Sequence, residues 1–144
     1  EHAVLNANYL RHRILHPGSD TAERMHAMPL DGAPADVVKH EFTISLSALK
    51  DAVGVTGRDV AKRLLDYGVM APTLYFPMIV PECLMIEPTE TESKEVMDRF
   101  ADDFHEILCE DPEVVTSAPH TTDVRRVDEV WAARNLVLRH PGPE

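Results

Sequence analysis

Catalytic signatures are largely missing from this 144-residue sequence. It contains no glycine-rich phosphate loop and no GxSxG, HExxH or CxxC motif. Its two cysteines, Cys83 and Cys109, are too few for a disulfide framework, so we expect reduced thiols and a cytoplasmic protein. Taken residue by residue, the sequence specifies no reaction.

Positive charge and long apolar runs are also scarce. Only 14 basic residues stand against 25 acidic ones, which gives a formal net charge of −11. That charge would repel duplex nucleic acid and anionic membranes, and no apolar run approaches the roughly 20 residues that span a bilayer. We therefore expect neither a nucleic-acid nor a membrane partner. Hydrophobic residues, at 44%, are sufficient for one buried core.

The first half of the chain predicts a helix, a strand and a second helix. Apolar spacing indicates a helix over 3–15, and proline and glycine then mark an irregular connection over 17–34. Strict alternation over 37–46 predicts a strand that places His40 on its buried, apolar face. The next helix begins at the cap Thr56, with Asp59 three residues later, and Gly68 ends it.

The second half predicts two short strands, over 73–76 and 83–86, followed by a long helix. Thr89 and Glu92 form a capping-box pattern at the start of that helix, which should run to about residue 109. The segment 110–123 is loop-like, and a last helix over 127–133 leads to an exposed tail. The predicted buried face of the long helix consists of Val96, Phe100, Phe104, Ile107 and Leu108.

This order of elements predicts an α+β fold, with a small, mostly antiparallel sheet covered by helices. We divide the chain into an N-terminal helix and connecting loop (1–35), an α+β core (36–110), and a loop, short helix and tail (111–144). Because a connection as long as 17–34 is unusual inside a compact domain, the first helix is expected to belong to a partner body.

The scattered histidines give weak functional signals. His12 and His16 have the i, i+4 spacing of metal ligands, but no third ligand lies nearby in sequence, so we predict no metal site. His40 is the more informative residue because it stands among apolar residues. Its two interpretations are a hydrogen-bonded core or interface residue and a direct role in an active site.

Acidic residues around position 90 invite an acid–base interpretation. These are Glu87, Glu90 and Glu92, but the predicted capping box and the helix dipole already account for Glu90 and Glu92, so we prefer a structural role to an acid–base one. Cys83 lies in a short apolar strand and is expected to be an inert, buried thiol.

A series of short motifs nevertheless resembles one family, the glycine cleavage system P-proteins, which are pyridoxal-phosphate-dependent glycine dehydrogenases (decarboxylating). The resemblance is to their C-terminal part, and the tail DEVWAARNLVLR at 128–139 is most similar to the bacterial second subunit. The motifs are LNANY at 5–9, HEF at 40–42, DVAKRL at 59–64 followed by DYG at 66–68, APT at 71–73, MIEPTE at 85–90, SKE at 93–95, DRF at 98–100 and PH at 119–120.

The resemblance implies the C-terminal domain of a fold type I pyridoxal-phosphate enzyme. Such P-proteins decarboxylate glycine and pass the aminomethyl group to the lipoyl arm of the H-protein. It implies three partners: the chain's own large cofactor-binding domain, a P-protein partner subunit and lipoylated H-protein. The cofactor lysine belongs to the large domain, which is expected to precede Glu1, and the lysines at 39, 50, 62 and 94 match no such motif. We therefore expect an inactive fragment without catalytic or cofactor-binding residues of its own.

Family position also suggests which residues face the substrate cleft. These are His40 and the Glu87-Pro88-Thr89 turn, while Asn6 and Asn8 are candidates for contacts with the large domain or a neighbouring subunit. Two alternatives remain: a stand-alone ferredoxin-like ligand-binding or dimerisation module, and a complete small enzyme. A domain separated from its enzyme should expose an apolar patch, whereas a stand-alone module should not.

Overall fold

The computed structural model describes residues 1–27, 30–31 and 37–139, and within these it has an α+β architecture, as predicted. The boundary at residue 35, part of the connection over 17–34 and the last five residues lie outside the described residues. The boundary at 110 stays a prediction. The elements are α1 (His2–Leu15), α2 (Ser19–Arg24), β1 (Leu30–Asp31), β2 (Phe42–Ser45), α3 (Ser47–Val53), α4 (Gly57–Asp66), β3 (Thr73–Leu74), β4 (Cys83–Ile86), α5 (Lys94–Cys109), α6 (Pro112–Ser117) and α7 (Glu129–Arg134).

The four strands form one sheet in the order β1-β2-β4-β3, and every pairing between them is antiparallel. The central pair sets Phe42 opposite Ile86 and Ser45 opposite Cys83. Strand β1 and helix α2 lie in the connection that was predicted to be irregular, and helix α3, which was not predicted, follows β2 after one residue.

Strand β2 is shorter than the predicted strand over 37–46, and His40 does not lie on its buried face. The Asn8 side chain accepts a hydrogen bond from the Val38 N–H at 2.9 Å and donates one to the Val38 carbonyl at 2.8 Å. Since these backbone groups are bonded to a helix, residues 37–40 do not continue the ladder, and His40 is exposed. The prediction of a buried His40 was therefore wrong.

Helix α4 begins as the sequence predicted. The Thr56 hydroxyl accepts a hydrogen bond from the Asp59 N–H at 3.2 Å, and the Asp59 carboxylate accepts one from the Thr56 N–H at 2.9 Å. This reciprocal pair satisfies two of the N–H groups that a helix start leaves open. Beyond the last turn, Gly68 has a φ of 74°, the left-handed conformation that favours glycine.

Helix α5 begins four residues later than predicted, at Lys94. Its cap is Ser93, whose hydroxyl accepts a hydrogen bond from the Val96 N–H, whereas the backbone carbonyl of Thr89 is engaged in a turn with the Glu92 N–H. The predicted buried residues Phe104, Ile107 and Leu108 are confirmed, but Val96 is exposed and Phe100 only partly buried. The observed buried face consists of Met97, Ala101, Phe104, His105, Ile107 and Leu108.

Helix α1 packs against α5 within the same core as the sheet. Ala7 and Ile14 are fully buried there, and the His105 imidazole Nε2 lies 2.9 Å from the Ile14 carbonyl oxygen. The expectation that the first helix belongs to another body was therefore wrong. Helix α6, in the segment predicted to be loop-like, has Pro112 in its first turn and an Asp111 cap that binds the Glu113 N–H.

Candidate functional site

Two of the three predicted cleft residues meet at one end of the central strand pair. Because Phe42 begins β2 and pairs with Ile86 at the end of β4, the chain segments outside those two residues emerge side by side. The His40 Nε2 consequently lies 3.8 Å from the Glu87 Oε1 and 4.0 Å from a carboxylate oxygen of Glu41. The side chains of all three are about half exposed, so the cluster is open to a ligand.

The third predicted residue, Thr89, lies in the turn that continues from Glu87. The Asn6 side-chain amide donates hydrogen bonds to the carbonyls of Thr89 at 2.8 Å and Glu92 at 3.2 Å, which ties this turn to helix α1. The Thr89 hydroxyl is exposed and lies 2.8 Å from that of Thr91. The side chain of Thr89 is therefore on the surface, two residues along the chain from Glu87.

Sequence reasoning missed how helix α1 positions this cluster. Asn6 and Asn8 each hold a backbone segment, the turn after Glu87 and the residues before His40 respectively. Their predicted contacts with another domain or subunit stay a prediction, but both amide nitrogens already have acceptors within this chain. An asparagine such as Asn6, buried next to the core residue Ala7, was the available signal, because a buried amide must find hydrogen-bond partners.

An open groove of about 510 Å³ adjoins the Glu87 side of the cluster. Glu87 and Glu92 are among the residues that line it, and the remainder of the lining is mostly apolar, including Met70, which is 91% exposed. Beside such a groove an imidazole can donate or accept a hydrogen bond, and carboxylates can hold a cationic group. The arrangement therefore suits a contribution to a shared cleft.

A second groove, of about 700 Å³, follows the outer face of helix α1 and contains both His12 and His16. Their rings are stacked with centroids 4.3 Å apart. Within residues 1–27, 30–31 and 37–139, no group of three or more His, Cys, Asp or Glu side chains has the arrangement of a metal site.

Two of the four lysines are committed to carboxylates. The Lys50 Nζ lies 2.5 Å from a Glu82 oxygen, and the Lys94 Nζ lies 2.5 Å from an Asp98 oxygen. The hydrogen bond to each carboxylate raises the pKa of both ammonium groups above the usual lysine range. Both groups are therefore held in the protonated form.

An apolar loop, residues 75–80, lies at the opposite end of β4. Met78 and Ile79 are 89% and 90% exposed, and Tyr75 and Phe76 are also exposed. Polar contacts fix its base: the buried Cys83 thiol donates to the Phe76 carbonyl at 3.1 Å, and burial raises the pKa of that thiol. The buried state of Cys83 agrees with its prediction as an inert thiol.

Two residues between the apolar loop and strand β4, Pro81 and Glu82, bind other parts of the body. The Ser45 hydroxyl donates to the Pro81 carbonyl at 2.8 Å, and Glu82 accepts a hydrogen bond of 2.9 Å from the Gly57 N–H at the start of helix α4. The apolar loop is thus a surface of large side chains on a fixed support.

A polar network at the end of α4 fixes the segment that follows α6. The Arg63 guanidinium donates to both oxygens of Glu110, at 2.8 and 2.7 Å, and to Asp66 at 2.9 Å. Tyr67 also donates to Glu110, and burial together with this carboxylate raises its pKa to about 12. Asp66 in turn binds the backbone of His120, so the DYG and PH motifs contact each other.

The residues after this network form an exposed arm, 124–139, that includes helix α7. Every one of these residues is exposed. The first part of the arm is attached to the body: Arg126 pairs with Asp59 at 2.8 Å, and Glu129 pairs with Arg58 at 2.9 Å. Sequence analysis placed the last helix at 127–133, close to its observed position.

Comparison with known proteins adds a family to this geometry. A family model described as "Glycine dehydrogenase, C-terminal domain" matches residues 1–127. The chain is also similar to proteins named "Probable glycine dehydrogenase (decarboxylating) subunit 2". The one from Thiobacillus denitrificans is 50% identical over 143 residues, covering 97% of this chain and 28% of the relative.

Two further relatives of the same name give similar values. The protein from Methylococcus capsulatus is 51% identical over 138 residues, with 94% of this chain and 26% of the relative covered. The protein from Nitrosospira multiformis is 49% identical over 146 residues, with 99% and 27% covered. The chain thus spans about a quarter of the length of these relatives.

No helix in the described part of the chain is long and apolar enough to cross a membrane.

Proposed function

The chain belongs to the glycine dehydrogenase C-terminal domain family, and from this we propose that it serves as that domain in a P-protein of the glycine cleavage system. The whole enzyme would decarboxylate glycine with pyridoxal phosphate and transfer the aminomethyl group to lipoylated H-protein. The observation that carries the proposal is the family match, which extends over residues 1–127. A cytoplasmic location is part of the same proposal.

The fold supports the role of a small domain beside a larger one. We propose that it corresponds to the C-terminal domain of fold type I pyridoxal-phosphate enzymes. Its antiparallel sheet and helices α1, α4 and α5 share one core, to which Ile44, Leu64 and Phe104 all contribute. The family match favours this interpretation over a stand-alone ferredoxin-like module.

Lys50 and Lys94 do not fit the role of the lysine that anchors the cofactor. A lysine that forms a Schiff base must lose its proton, and hydrophobic surroundings or a neighbouring cation assist that loss. Lys50 and Lys94 instead have raised pKa values because each is bound to a carboxylate, and Lys39 is exposed. In keeping with the family resemblance, we propose that pyridoxal phosphate is held by a lysine outside these 144 residues, and we derive no catalytic step through it.

The contribution of this domain would be to form one wall of the substrate cleft. His40, Glu87 and Thr89 lie at one end of the sheet next to the groove, where a second domain could enclose them. Such enclosure excludes water and strengthens the electrostatic interactions of a charged substrate. Exposed and half-exposed positions of this kind would become buried in the assembled cleft.

The apolar loop supports docking of this domain onto the large domain. Met78 and Ile79 are almost fully exposed on a support that holds them in place, which leaves apolar surface in water without any gain in local packing. Preorganised apolar side chains of this kind are suited to fill pockets on another surface. The four exposed side chains of this loop, Tyr75, Phe76, Met78 and Ile79, are consistent with the apolar patch expected of a domain separated from its enzyme.

Exchange of glycine carboxyl carbon with labelled bicarbonate, in the full-length protein with lipoylated H-protein, tests the proposed function. His40→Ala should lower the exchange rate by roughly tenfold or more, because a hydrogen-bonding side chain that helps to orient the substrate at the cleft is lost. His12→Ala is the matched control, since this exposed histidine lies on the outer groove. An unchanged rate for His40→Ala would remove His40 from the cleft, and a full-length protein without exchange would contradict the function itself.

Borohydride reduction of the full-length protein with bound pyridoxal phosphate tests the cofactor assignment independently. We expect one modified lysine, located by peptide mapping outside this chain. A stoichiometric adduct on Lys39, Lys50, Lys62 or Lys94 would show that the domain anchors the cofactor itself.

A further inference from the structure

The segment that carries His40 has no strand partner in the described part of the chain. The ladder of β2 with β4 begins at Phe42, which pairs with Ile86, and residues 37–41 precede it outside any strand. His40 is itself exposed, so burial does not fix it. Such a segment adopts one conformation only if contacts with another element hold it. The position of His40 beside Glu87 is therefore set from outside the sheet.

Asn8 of helix α1 supplies those contacts. Its side-chain oxygen accepts a hydrogen bond of 2.9 Å from the Val38 N–H, and its amide nitrogen donates one of 2.8 Å to the Val38 carbonyl. The same nitrogen also donates to the Val4 carbonyl at 2.7 Å. An amide side chain presents a donor and an acceptor side by side, as a peptide group does. Asn8 thus binds Val38 as a neighbouring strand would, two residues before His40.

Asn6 of the same helix holds the segment that follows Glu87. Its amide nitrogen donates hydrogen bonds to the Thr89 carbonyl at 2.8 Å and to the Glu92 carbonyl at 3.2 Å. Each of the two segments that meet at the contact between His40 and Glu87 is therefore bound by an asparagine of helix α1.

The helix that carries both asparagines is fixed in the core. Successive residues of an α-helix lie about 100° apart around its axis, so Asn6 and Asn8 project on either side of Ala7. Ala7 and Ile14 are fully buried, and Leu10 is 3% exposed. Helix α1 cannot rotate about its axis without removing these side chains from the core. Both amides are consequently held at fixed positions.

A purely structural role does not account for this arrangement. The His40 and Glu87 side chains are both about half exposed, and an ion pair on the surface contributes little to stability. The fold therefore gains little from keeping these two side chains together. Asn8 nevertheless commits three hydrogen bonds to the backbone around them. This favours a role in the cleft.

We propose that Asn8 is a positioning residue of the cleft, which holds His40 beside Glu87 and the adjoining groove so that the substrate meets both side chains in one geometry. Asn6 keeps the turn after Glu87 in place on the other side of the contact. Preorganised groups lower a reaction barrier because they need no rearrangement when the substrate binds. This inference rests on the proposed function and deepens it, since it assigns control of the cleft to a residue that acts through another.

Asn8→Asp tests the inference because it removes the donor and keeps the shape of the side chain. A carboxylate cannot donate to the carbonyls of Val38 and Val4, so the segment before His40 should be released. In the full-length protein with lipoylated H-protein, the exchange of glycine carboxyl carbon with labelled bicarbonate should slow roughly tenfold, about as much as in His40→Ala. An unchanged rate would overturn the proposal.

A double-variant cycle separates positioning from a general loss of stability. If Asn8 acts through His40, Asn8→Asp should slow exchange by less than about twofold in a protein that already carries His40→Ala. A further loss of roughly tenfold in the double variant would show an effect independent of His40 and would overturn the proposal. Val115→Ala is the control: this residue is buried in helix α6, and its truncation should lower stability without slowing exchange by the folded protein.

A crystal structure of full-length Asn8→Asp distinguishes this inference from the proposed function. The His40 Nε2, now 3.8 Å from Glu87, should move beyond the roughly 4 Å reach of an ion pair. A protein that exchanges no glycine carboxyl carbon would contradict the proposed function, while a displaced His40 would still support its placement by Asn8. An active protein in which His40 keeps its position would contradict the role of Asn8 alone.

Discussion

The Oδ1 atom of Asp66 accepts a hydrogen bond of 2.6 Å from the backbone N–H of His120, which is 54 residues away in the chain. The same oxygen accepts two further bonds from the backbone and hydroxyl of Thr121, and Arg63 binds the other oxygen. The Asp66 side chain is 2% exposed, so the end of helix α4 and the segment after α6 are joined by a buried, fully bonded carboxylate.

We expect Asp66→Asn to destabilise the protein by about 2 kcal/mol at neutral pH. Burial alone would raise the pKa of Asp66, but the hydrogen bonds from Thr121, His120 and Arg63 lower it from 3.8 to about 2, and each pKa unit corresponds to about 1.4 kcal/mol. Because the folded-state pKa is depressed, this stabilisation is present above pH 4 and is lost as the pH falls towards 2.

Urea denaturation at several pH values measures that difference. The gap in unfolding free energy between the original protein and Asp66→Asn should narrow between about pH 4 and pH 2. A gap that stays constant over this range would show that the charge of Asp66 is not the stabilising element.

Substitutions at two adjacent positions test the orientation of helix α5. Met97 is 5% exposed and Val96 is 53% exposed, although the sequence pattern predicted Val96 to be buried. Met97→Ala should lower the unfolding free energy by about 2–5 kcal/mol and Val96→Ala by less than about 0.5 kcal/mol. If urea denaturation showed a larger loss of unfolding free energy for Val96→Ala than for Met97→Ala, the buried face predicted from the sequence would be the correct one.

Hydrogen exchange distinguishes the two candidate caps of helix α5. Ser93→Ala removes the acceptor of the Val96 N–H and should cost about 1 kcal/mol, so the amides of the first turn should exchange faster. Thr89→Ala removes only the contact with the Thr91 hydroxyl and should leave those amides unchanged. Faster exchange for Thr89→Ala alone would favour the predicted start.

Alkylation should separate the two cysteines. Burial raises the pKa of both Cys83 and Cys109, and Cys83 is the more completely enclosed, at 1% exposure. With iodoacetamide under native conditions, Cys109 should react first and Cys83 only at a rate limited by opening of the structure. Mass spectrometry that found Cys83 modified first would contradict the burial described above.

Local signals in the sequence identified most elements correctly. Reciprocal capping by Thr56 and Asp59 was predictable because both partners lie within four residues, and the α+β class followed from the order of the periodic segments. The start of helix α5 was not predictable in this way, because Thr89 and Ser93 are both acceptable caps. Only the turn at Glu92 selects between them. That selection depends on Asn6, which binds the turn from 83 residues away.

The same limit applies to the candidate site. His40 and Glu87 were identified by family position, but their proximity results from the register of β2 with β4. The exposure of His40 results from Asn8, whose side chain binds the backbone of Val38 inside the predicted strand, so that the observed strand begins only at Phe42. The alternation of residue types carries no information about a side chain from another element that competes for the backbone. The strand predicted from that alternation was therefore too long.

Helix α4 contacts both the base of the apolar loop and the base of the arm. Its first residue, Gly57, approaches the Glu82 backbone so closely that an added Cβ would lie 3.1 Å from the carbonyl oxygen, and Asp59, two residues later, holds Arg126 at the base of the arm. The contacts that hold the base of the apolar loop and the base of the arm thus lie less than one turn apart on the same helix.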